Sequence, residues 1–423
     1  MGNFIEFLYS RFLLSDGVSV DTRTIRKDNL FFAISGPNFN GNQFAAQALE
    51  KGASYAVVDE EEYVTDERII LSKNGLKALQ DLAVFHRNRF KRPVIGITGS
   101  NGKTTTREFV SKILETKYIV HSTRENYNNH IGVPITLLHI HPQVEIAIVE
   151  MGANHVGEIA HLCAMACPTH GLITNIGRAH TATFGGIGGV IRGKSELYDY
   201  LKKTNGQVFI NINDSVLSNK AKRFESPIRY PENDFRLLTS SPLLTISLNG
   251  QTQETKMTGR YNYPNMAAAV ALGRYFKIND DAILNALASY EPKNARSQLL
   301  KKGSNTIILD AYNANPDSMK AALDNLADQQ GEKLAILGDM NELENSDDQH
   351  REILHHAKAL GIAIFSVGEK IGQATEAVSH ANHFDSKERL EKRLKSLKLS
   401  NTTILLKASR SIELETILKS LEP

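Results

Sequence analysis

Cysteine is nearly absent: Cys163 and Cys167 are the only two in 423 residues. Their C-x-x-x-C spacing lacks the second pair that would complete a zinc site, so a zinc module is excluded and two buried, reduced thiols are expected. An excess of charge is also absent. The formal net charge is +2, with the charges well mixed, which removes a polyanion, and so nucleic acid, as the default partner. No stretch reaches the ~20 apolar residues of a membrane span. The apolar cluster from Met1 to Leu14 is broken by Glu6 and Arg11 and has neither the basic start nor the cleavage site of an export signal. A cytoplasmic protein without a membrane partner is expected. Low-complexity linkers and solenoid-length repeats are missing as well.

What is present begins with Gly96-Ile97-Thr98-Gly99-Ser100-Asn101-Gly102-Lys103-Thr104-Thr105-Thr106, which follows the apolar pair Val94-Ile95 and opens a helical pattern. It reads as a phosphate-binding loop. Glycines let backbone N–H groups face an anion, Lys103 can reach terminal phosphates, and the Thr104 hydroxyl can ligate Mg²⁺. The usual G-x-x-x-x-G-K-[ST] spacing fails, because five residues rather than four separate Gly96 from Gly102.

The length favours about three domains. Residues 1–91 read as a small α/β unit with strands at 30–34 and 55–58 and a helix presenting Phe44, Ala48 and Leu49. Polar loops flank its first strand, Asp21-Thr22-Arg23 before it and Gly36 to Gly41 after it. Residues 92–292 alternate strand and helix, the pattern of a parallel sheet covered on both faces. Residues 293–423 repeat the alternation with strands at 307–309, 334–337, 363–367 and 403–406. This last unit is dinucleotide-fold-like, yet no G-x-G-x-x-G follows its first strand, so nicotinamide chemistry is unsupported. The expected class is α/β in three domains, the central one built on a mainly parallel sheet.

Several polar residues fall at strand ends, where folds of this type bind ligands. Glu150 ends an apolar run and has the place of a metal-binding carboxylate, and His180 follows the next strand on the same sheet edge. Lys194 is unremarkable by spacing; only a neutral lysine could add CO₂ to give a carbamate able to ligate metal. The loop Asn126 to Pro134 either caps a helix or meets a polar substrate. Asn265 can cap the Ala-rich helix at 266–276, and Asn315 with Pro316 suits the start of another. Capping does not account for Asp310, Tyr312 and Asn313.

Taken in order, Thr98 to Thr105, Glu150-Met151-Gly152, Asn175 to His180, Lys194, the Asn262 and Asn265 pair, and Asp310 resemble the Mur ligase family over nearly the whole chain. Within it, Tyr312 to Met319, Leu337-Gly338-Asp339-Met340-Asn341-Glu342-Leu343, Asp21 to Arg23 and Asn128 to Pro134 look like members that add D-alanyl-D-alanine to UDP-N-acetylmuramoyl-tripeptide. The resemblance implies a UDP-sugar domain, a central ATPase domain and a C-terminal domain that closes over the nucleotide. It implies ATP, two Mg²⁺ ions and an acyl phosphate intermediate in peptidoglycan precursor synthesis. By the same resemblance, Gly99, Asn101, Gly102, Lys103, Thr104 and Thr105 hold phosphate, and Thr104, Glu150, His180 and a carbamylated Lys194 serve the metal. Asn262 and Asn265 approach adenine, and Arg296 and Asp310 contact phosphate and ribose. Asn129, Tyr312 and Asn313 face substrate, and Thr22 and Arg23 the uridine diphosphate end. A monomer is expected. Tyr261 departs from the family, which often has His before Asn262.

Alternatives stay open at this stage. A sibling that adds the third amino acid usually carries Asn-Pro-Arg, where this chain has Asn315-Pro316-Asp317; a folylpolyglutamate synthase is another sibling. A nucleotide-operated binding protein is a reading of a different class. The third residue of the tripeptide, diaminopimelate or lysine, is left undecided.

Overall fold

The computed structural model describes residues 2–341, 343, 345–376 and 381–421; Met1 and Glu342, both named above, lie outside them. Four sheets organise the chain. The first is parallel and runs β1 (Val18–Ser19), β2 (Leu30–Phe32), β3 (Tyr55–Val58) and β4 (Ile69–Leu71) in spatial order. The central sheet contains β5 (Val94–Thr98), β6 (Val120–Ser122), β7 (Ile146–Glu150), β8 (His170–Ile173), β9 (Gln207–Asn211) and β10 (Ile228–Tyr230), ordered β10-β9-β8-β5-β7-β6 and parallel throughout. β11 (Phe235–Thr239), β12 (Thr245–Leu248) and β13 (Gln251–Glu254) form an antiparallel meander. The last sheet orders β14 (Gln298–Lys302), β15 (Asn305–Leu309), β16 (Glu332–Gly338), β17 (Ala363–Val367), β18 (Ala381–Phe384) and β19 (Thr402–Lys407) as β14-β15-β19-β16-β17-β18. Only its β14 edge is antiparallel.

The central sheet follows from its composition. A parallel strand is covered on both faces, so it reads as a continuous apolar run whose alternate side chains enter two cores. Ile95, Ile97, Ile148, Leu172 and Phe209 pack on Phe109, Val110 and Ile113 of helix Lys103–Leu114 and on helix Tyr263–Tyr275. Ala147, Val149, Ile173, Val208 and Ile210 enter the opposite core with Leu197 and Leu201 of helix Ile187–Lys203. That second core continues without a break into the N-terminal unit, taking in Leu79, Leu82 and Ala83 of helix Gly75–Arg87 beside Val133 and Leu137 of helix Gly132–Leu138. The last sheet has one core on each face, and neither includes a residue before Ala295.

The structure corrects the sequence reading in several places. The strand expected over 30–34 ends at Phe32. The last sheet has six strands where four were expected, and the meander at 235–254 breaks the expected parallel alternation. β13, β14 and β18 are short and half-exposed, so they carry no apolar run to read. Asn249-Gly250 between β12 and β13 has positive φ at both residues (50° and 82°), and this dipeptide was the available hairpin signal. Asn265 is not an N-cap, because its helix begins at Tyr263 with Pro264 in the first turn. Cys163 is buried, whereas Cys167, in the left-handed conformation that ends helix Glu158–Ala166, is only partly covered.

Candidate functional site

The loop after β5 is shaped by residues from the loop after β8. Gly99 has φ +147°, and a Cβ there would lie 1.9 Å from Thr174 Oγ1; Gly102 has φ +79°, and its Cβ would lie 2.5 Å from Asn265 Oδ1. Only glycine fits either position. The Asn101 backbone N–H donates to Asn175 Oδ1 (3.0 Å), and its carbonyl accepts from Thr174 Oγ1 (2.6 Å) and Asn175 Nδ2 (3.0 Å). The longer loop is thus held in place by Thr174 and Asn175, just after β8, rather than left slack. Helix Lys103–Leu114 starts at Gly102, so its N-terminal N–H groups and positive dipole end face the cleft, the standard arrangement for an anion. Lys103 Nζ donates to Gly99 O (2.7 Å) and Ser100 O (3.1 Å), and burial holds its ammonium below the usual lysine range.

β7 delivers Glu150 opposite Ile97, with its side chain 1% exposed. Its Oε1 accepts from Asn128 Nδ2 (2.8 Å) and Thr104 Oγ1 (3.2 Å). Oε2 has no hydrogen-bond donor and sits 3.8 Å from Arg107 Nη1. A buried carboxylate oxygen left in that state is costly unless a cation completes it. Carboxylate and hydroxyl oxygens side by side are the donor set a hard divalent cation takes. Among the described residues no group of three or more His, Cys, Asp or Glu forms a ready cage. His180, at φ +56°, lines the same cleft. Lys194 does not: it lies behind Ala153, 2% exposed, with Nζ donating to Ala153 O (3.0 Å) and 5.2 Å from the Phe184 ring centre. Burial first, and the charge of Lys103 second, push its ammonium well below the usual range.

Two cavities flank the loop. The larger, about 650 Å³, is lined by Lys103, Thr104, Asn129, Glu150 and His180 and, from the last unit, by Arg296, Tyr312 and Asn313. The smaller, about 290 Å³, collects Gly102, Thr105, Asn262, Asn265, Arg296, Asp310, Tyr312, Asn313 and Lys407. Arg296 serves both, its guanidinium 3.5 Å from the Tyr312 ring centre. In the smaller cavity Asn262 Nδ2 donates to Thr258 O (2.9 Å) and Ser297 Oγ (3.3 Å), and Asn265 Nδ2 to Asn262 Oδ1 (3.3 Å). Tyr261 hydrogen-bonds Ser297 Oγ at 2.8 Å, so the residue in place of the usual His joins the wall. Asn129 Oδ1 accepts from Ile131 N (3.0 Å) and Gly132 N (2.9 Å) just ahead of helix Gly132–Leu138, and the residue lines the larger cavity. Thr22 and Arg23 line neither cavity; Arg23 pairs with Asp21, and Thr22 O accepts from Lys51 Nζ at 3.0 Å.

The last unit reaches the loop through the start of helix Pro316–Ala327. Asn315 caps that helix in a reciprocal capping box with Ser318. Its side chain also forms a two-way amide pair with Asn101, at 2.7 Å and 3.3 Å. Asp317 accepts from the Arg178 backbone N–H (2.7 Å) and Nε (2.9 Å), and Arg178 Nη1 donates to Glu352 Oε2 (3.0 Å), while Lys320 holds the other oxygen, Oε1. Asn128, Asn175 and Arg178 lay inside the motifs read from the sequence without a role of their own, and Lys407 lay in none of them. Lys407 had a signal, a lysine closing the apolar run Thr402 to Leu406.

Three family models cover the chain in order: "Mur ligase family, catalytic domain" over 15–89, "Mur ligase middle domain" over 97–273 and "Mur ligase, glutamate ligase domain" over 295–410. A curated relative from Bacillus subtilis (strain 168), named UDP-N-acetylmuramoyl-tripeptide--D-alanyl-D-alanine ligase, is 35% identical across 96% of this chain and 93% of its own length. The relative of the same name from Escherichia coli (strain K12) is 33% identical across 96% and 94%. Among solved structures, MurF from Acinetobacter baumannii superposes with a TM-score of 0.86 at 29% identity, covering 96% of this chain and 92% of its own. MurF ligase from Thermotoga maritima in complex with ADP gives 0.85 at 26%, covering 97% of each. Matched by these three family models and by relatives along nearly its whole length, this chain belongs to the Mur ligase family.

Proposed function

We propose that this chain joins D-alanyl-D-alanine to a UDP-N-acetylmuramoyl-tripeptide, driven by ATP, in peptidoglycan precursor synthesis. The observation that carries the reading is that one cleft gathers the phosphate loop, the Thr104 and Glu150 pair, and Arg296 and Asn313 of the last unit. A carboxylate resists attack by an amine until one oxygen becomes a leaving group. The γ-phosphoryl of ATP passes to the terminal carboxylate of the tripeptide, giving an acyl phosphate and ADP. The dipeptide's amine then attacks the acyl carbon, loses a proton, and the tetrahedral adduct expels phosphate as the amide forms.

The residues divide this work. Gly99, Asn101, Gly102, Thr104 and Thr105 cradle the phosphates, Asn101 with its side chain because its backbone N–H is held by Asn175, and Lys103 leaves the Gly99 and Ser100 carbonyls to reach the transferring group. Asn262 and Asn265 face adenine across the smaller cavity, Asp310 accepts from ribose, and Arg296 neutralises phosphate charge between the two cavities. Tyr312, Asn313 and Asn129 border the peptide substrates, with Thr22 and Arg23 toward the uridine diphosphate. Units 1–91, 92–292 and 293–423 would bind the UDP-sugar, bind ATP, and close over both. Mg²⁺, as two ions, would be held by Thr104, Glu150, His180 and Lys194 and would supply charge neutralisation at the phosphates. Lys194 suits carbamylation because burial disfavours its ammonium form; R–NH₂ and CO₂ give R–NH–COO⁻ and a proton. All these groups come from one chain, so a monomer suffices.

Phosphate release tests the reading. Turnover should require both UDP-tripeptide and D-alanyl-D-alanine; turnover with a free diamino acid on the UDP-dipeptide would overturn the substrate assignment, and ATP hydrolysis without acceptor would favour a nucleotide-operated switch. Lys103→Ala should lower kcat by roughly 10² to 10³. Lys194→Ala should lose activity and regain part of it with added short carboxylic acids; full activity without them would refute the carbamate.

A further inference from the structure

Lys407 closes β19, the strand between β15 and β16, and is 2% exposed. Its ammonium donates to Asp310 Oδ2 at 2.6 Å, Asn313 O at 3.1 Å and Asp310 O at 3.3 Å. An ammonium has three protons, and three oxygens of one short turn take them. The other oxygen of Asp310 accepts from the Ser297 backbone N–H at 3.2 Å. The carboxylate is therefore gripped at both oxygens, and Asp310 lines the 290 Å³ cavity beside Asn313, Arg296 and Lys407 itself, whose three protons are already taken.

Packing alone gives no reason for a lysine here. A buried ion pair is seldom more stable than an apolar residue of the same volume, whereas removing one member leaves the other uncompensated. What the lysine adds is direction: it sets the rotation of one carboxylate and the path of the 310–313 turn, which carries Tyr312 and Asn313 to both cavities. We propose that Lys407 is a positioning residue for the nucleotide, acting through Asp310 rather than by touching the ligand. This rests on the reading that Asp310 accepts from the ribose.

The test is a double-mutant cycle in the full chain with Lys407→Met, Asp310→Asn and the double variant, measuring KM for ATP, kcat, KM for the UDP-tripeptide and thermal midpoint. Charge-assisted hydrogen bonds of this kind predict that Lys407→Met raises KM for ATP about tenfold or more, with kcat changed by less than about twofold. Because the 310–313 turn also carries Tyr312 and Asn313, the KM for the UDP-tripeptide should rise by less than the KM for ATP, and the double variant should be no worse than the worse single one. Multiplying effects in the double variant, a fall in kcat alone, or an unchanged KM for ATP in Lys407→Met overturns the proposal. If Asp310→Asn leaves that KM unchanged, the ribose reading falls; if it raises the KM and Lys407→Met does not, only the role of Lys407 falls. Lys407→Gln, which keeps an N–H donor, should give an intermediate KM and replaces Lys407→Met if the latter does not fold. Loss of folding in both makes Lys407 a stability residue and ends the proposal.

Discussion

The N-terminal and C-terminal units are attached to the central sheet in opposite ways. Helix Gly75–Arg87 of the first unit buries Leu79, Leu82 and Ala83 in the same apolar core as Val133 and Leu137. A few polar contacts ride on that core: Arg87 donates to Ala166 O (2.6 Å) and Cys167 O (2.7 Å), and His86 Nε2 bonds Ile140 O (2.9 Å). The last unit meets the central one through the Asn101–Asn315 pair, the Arg178–Asp317–Glu352 chain and Thr258 Oγ1 to Asn325 Oδ1 at 3.1 Å. No core among the described residues spans that joint. Apolar burial is proportional to area and is lost all at once on separation. Half-exposed ion pairs and amide pairs exchange with water at little net cost. The first joint is therefore built to stay shut, whereas the second costs little to part.

Three perturbations should separate the joints. The largest is Leu137→Ala, a fully buried side chain in the shared core, expected to lower global stability by about 2–5 kcal/mol in denaturant melts. KM for ATP should stay near its original value; a loss within about 0.5 kcal/mol, the level of an ordinary surface change, would deny that the joint is a core. Next is Arg178→Ala. Arg178 and Asp317 are 36% and 38% exposed, so global stability should fall by less than about 1 kcal/mol. Closure should still loosen, seen as a larger radius by X-ray scattering with ATP bound and reproduced in the original protein by high salt. An unchanged radius at all salt concentrations would show the ion pairs to be idle.

The smallest effect is on pH. Burial holds His86 below its ordinary 6.5, so the folded chain takes that proton less readily than the unfolded one. The stability of the first joint is complete above pH 6.5 and drains away as pH falls below it. Glu352 is held below its ordinary 4.5, chiefly by its hydrogen bond from Lys320, so its contribution is lost only as pH falls below about 4.5. Hydrogen exchange across 75–87 should thus accelerate at milder acidity than across 316–327, and His86→Phe should remove that difference. Equal onset in both segments would contradict the assignment.

The site was legible where chemistry demands a residue type at a chain position. Glycines at 99 and 102, Lys103 and Thr104 stand in one short loop, and strand ends announce Glu150 and Asp310. Lys407 and Arg178 were harder to see because their partners lie 97 and 139 residues away, and no local pattern marks such pairs. Thr22 and Arg23 were motif neighbours that folding leaves outside both cavities. The β13 and β18 edges escaped notice because half-exposed strands carry no apolar run.

By itself the sequence determined the α/β class, the order of the units and the phosphate loop, since apolar periodicity and glycine conformation act within a few residues of each position. Only the tertiary structure decided that the longer loop is clamped by Thr174 and Asn175, that the smaller cavity forms between Asn262 and Asp310, and that one joint is apolar and the other polar. Those are contacts between distant segments, and they exist only once burial has set which faces of the units meet.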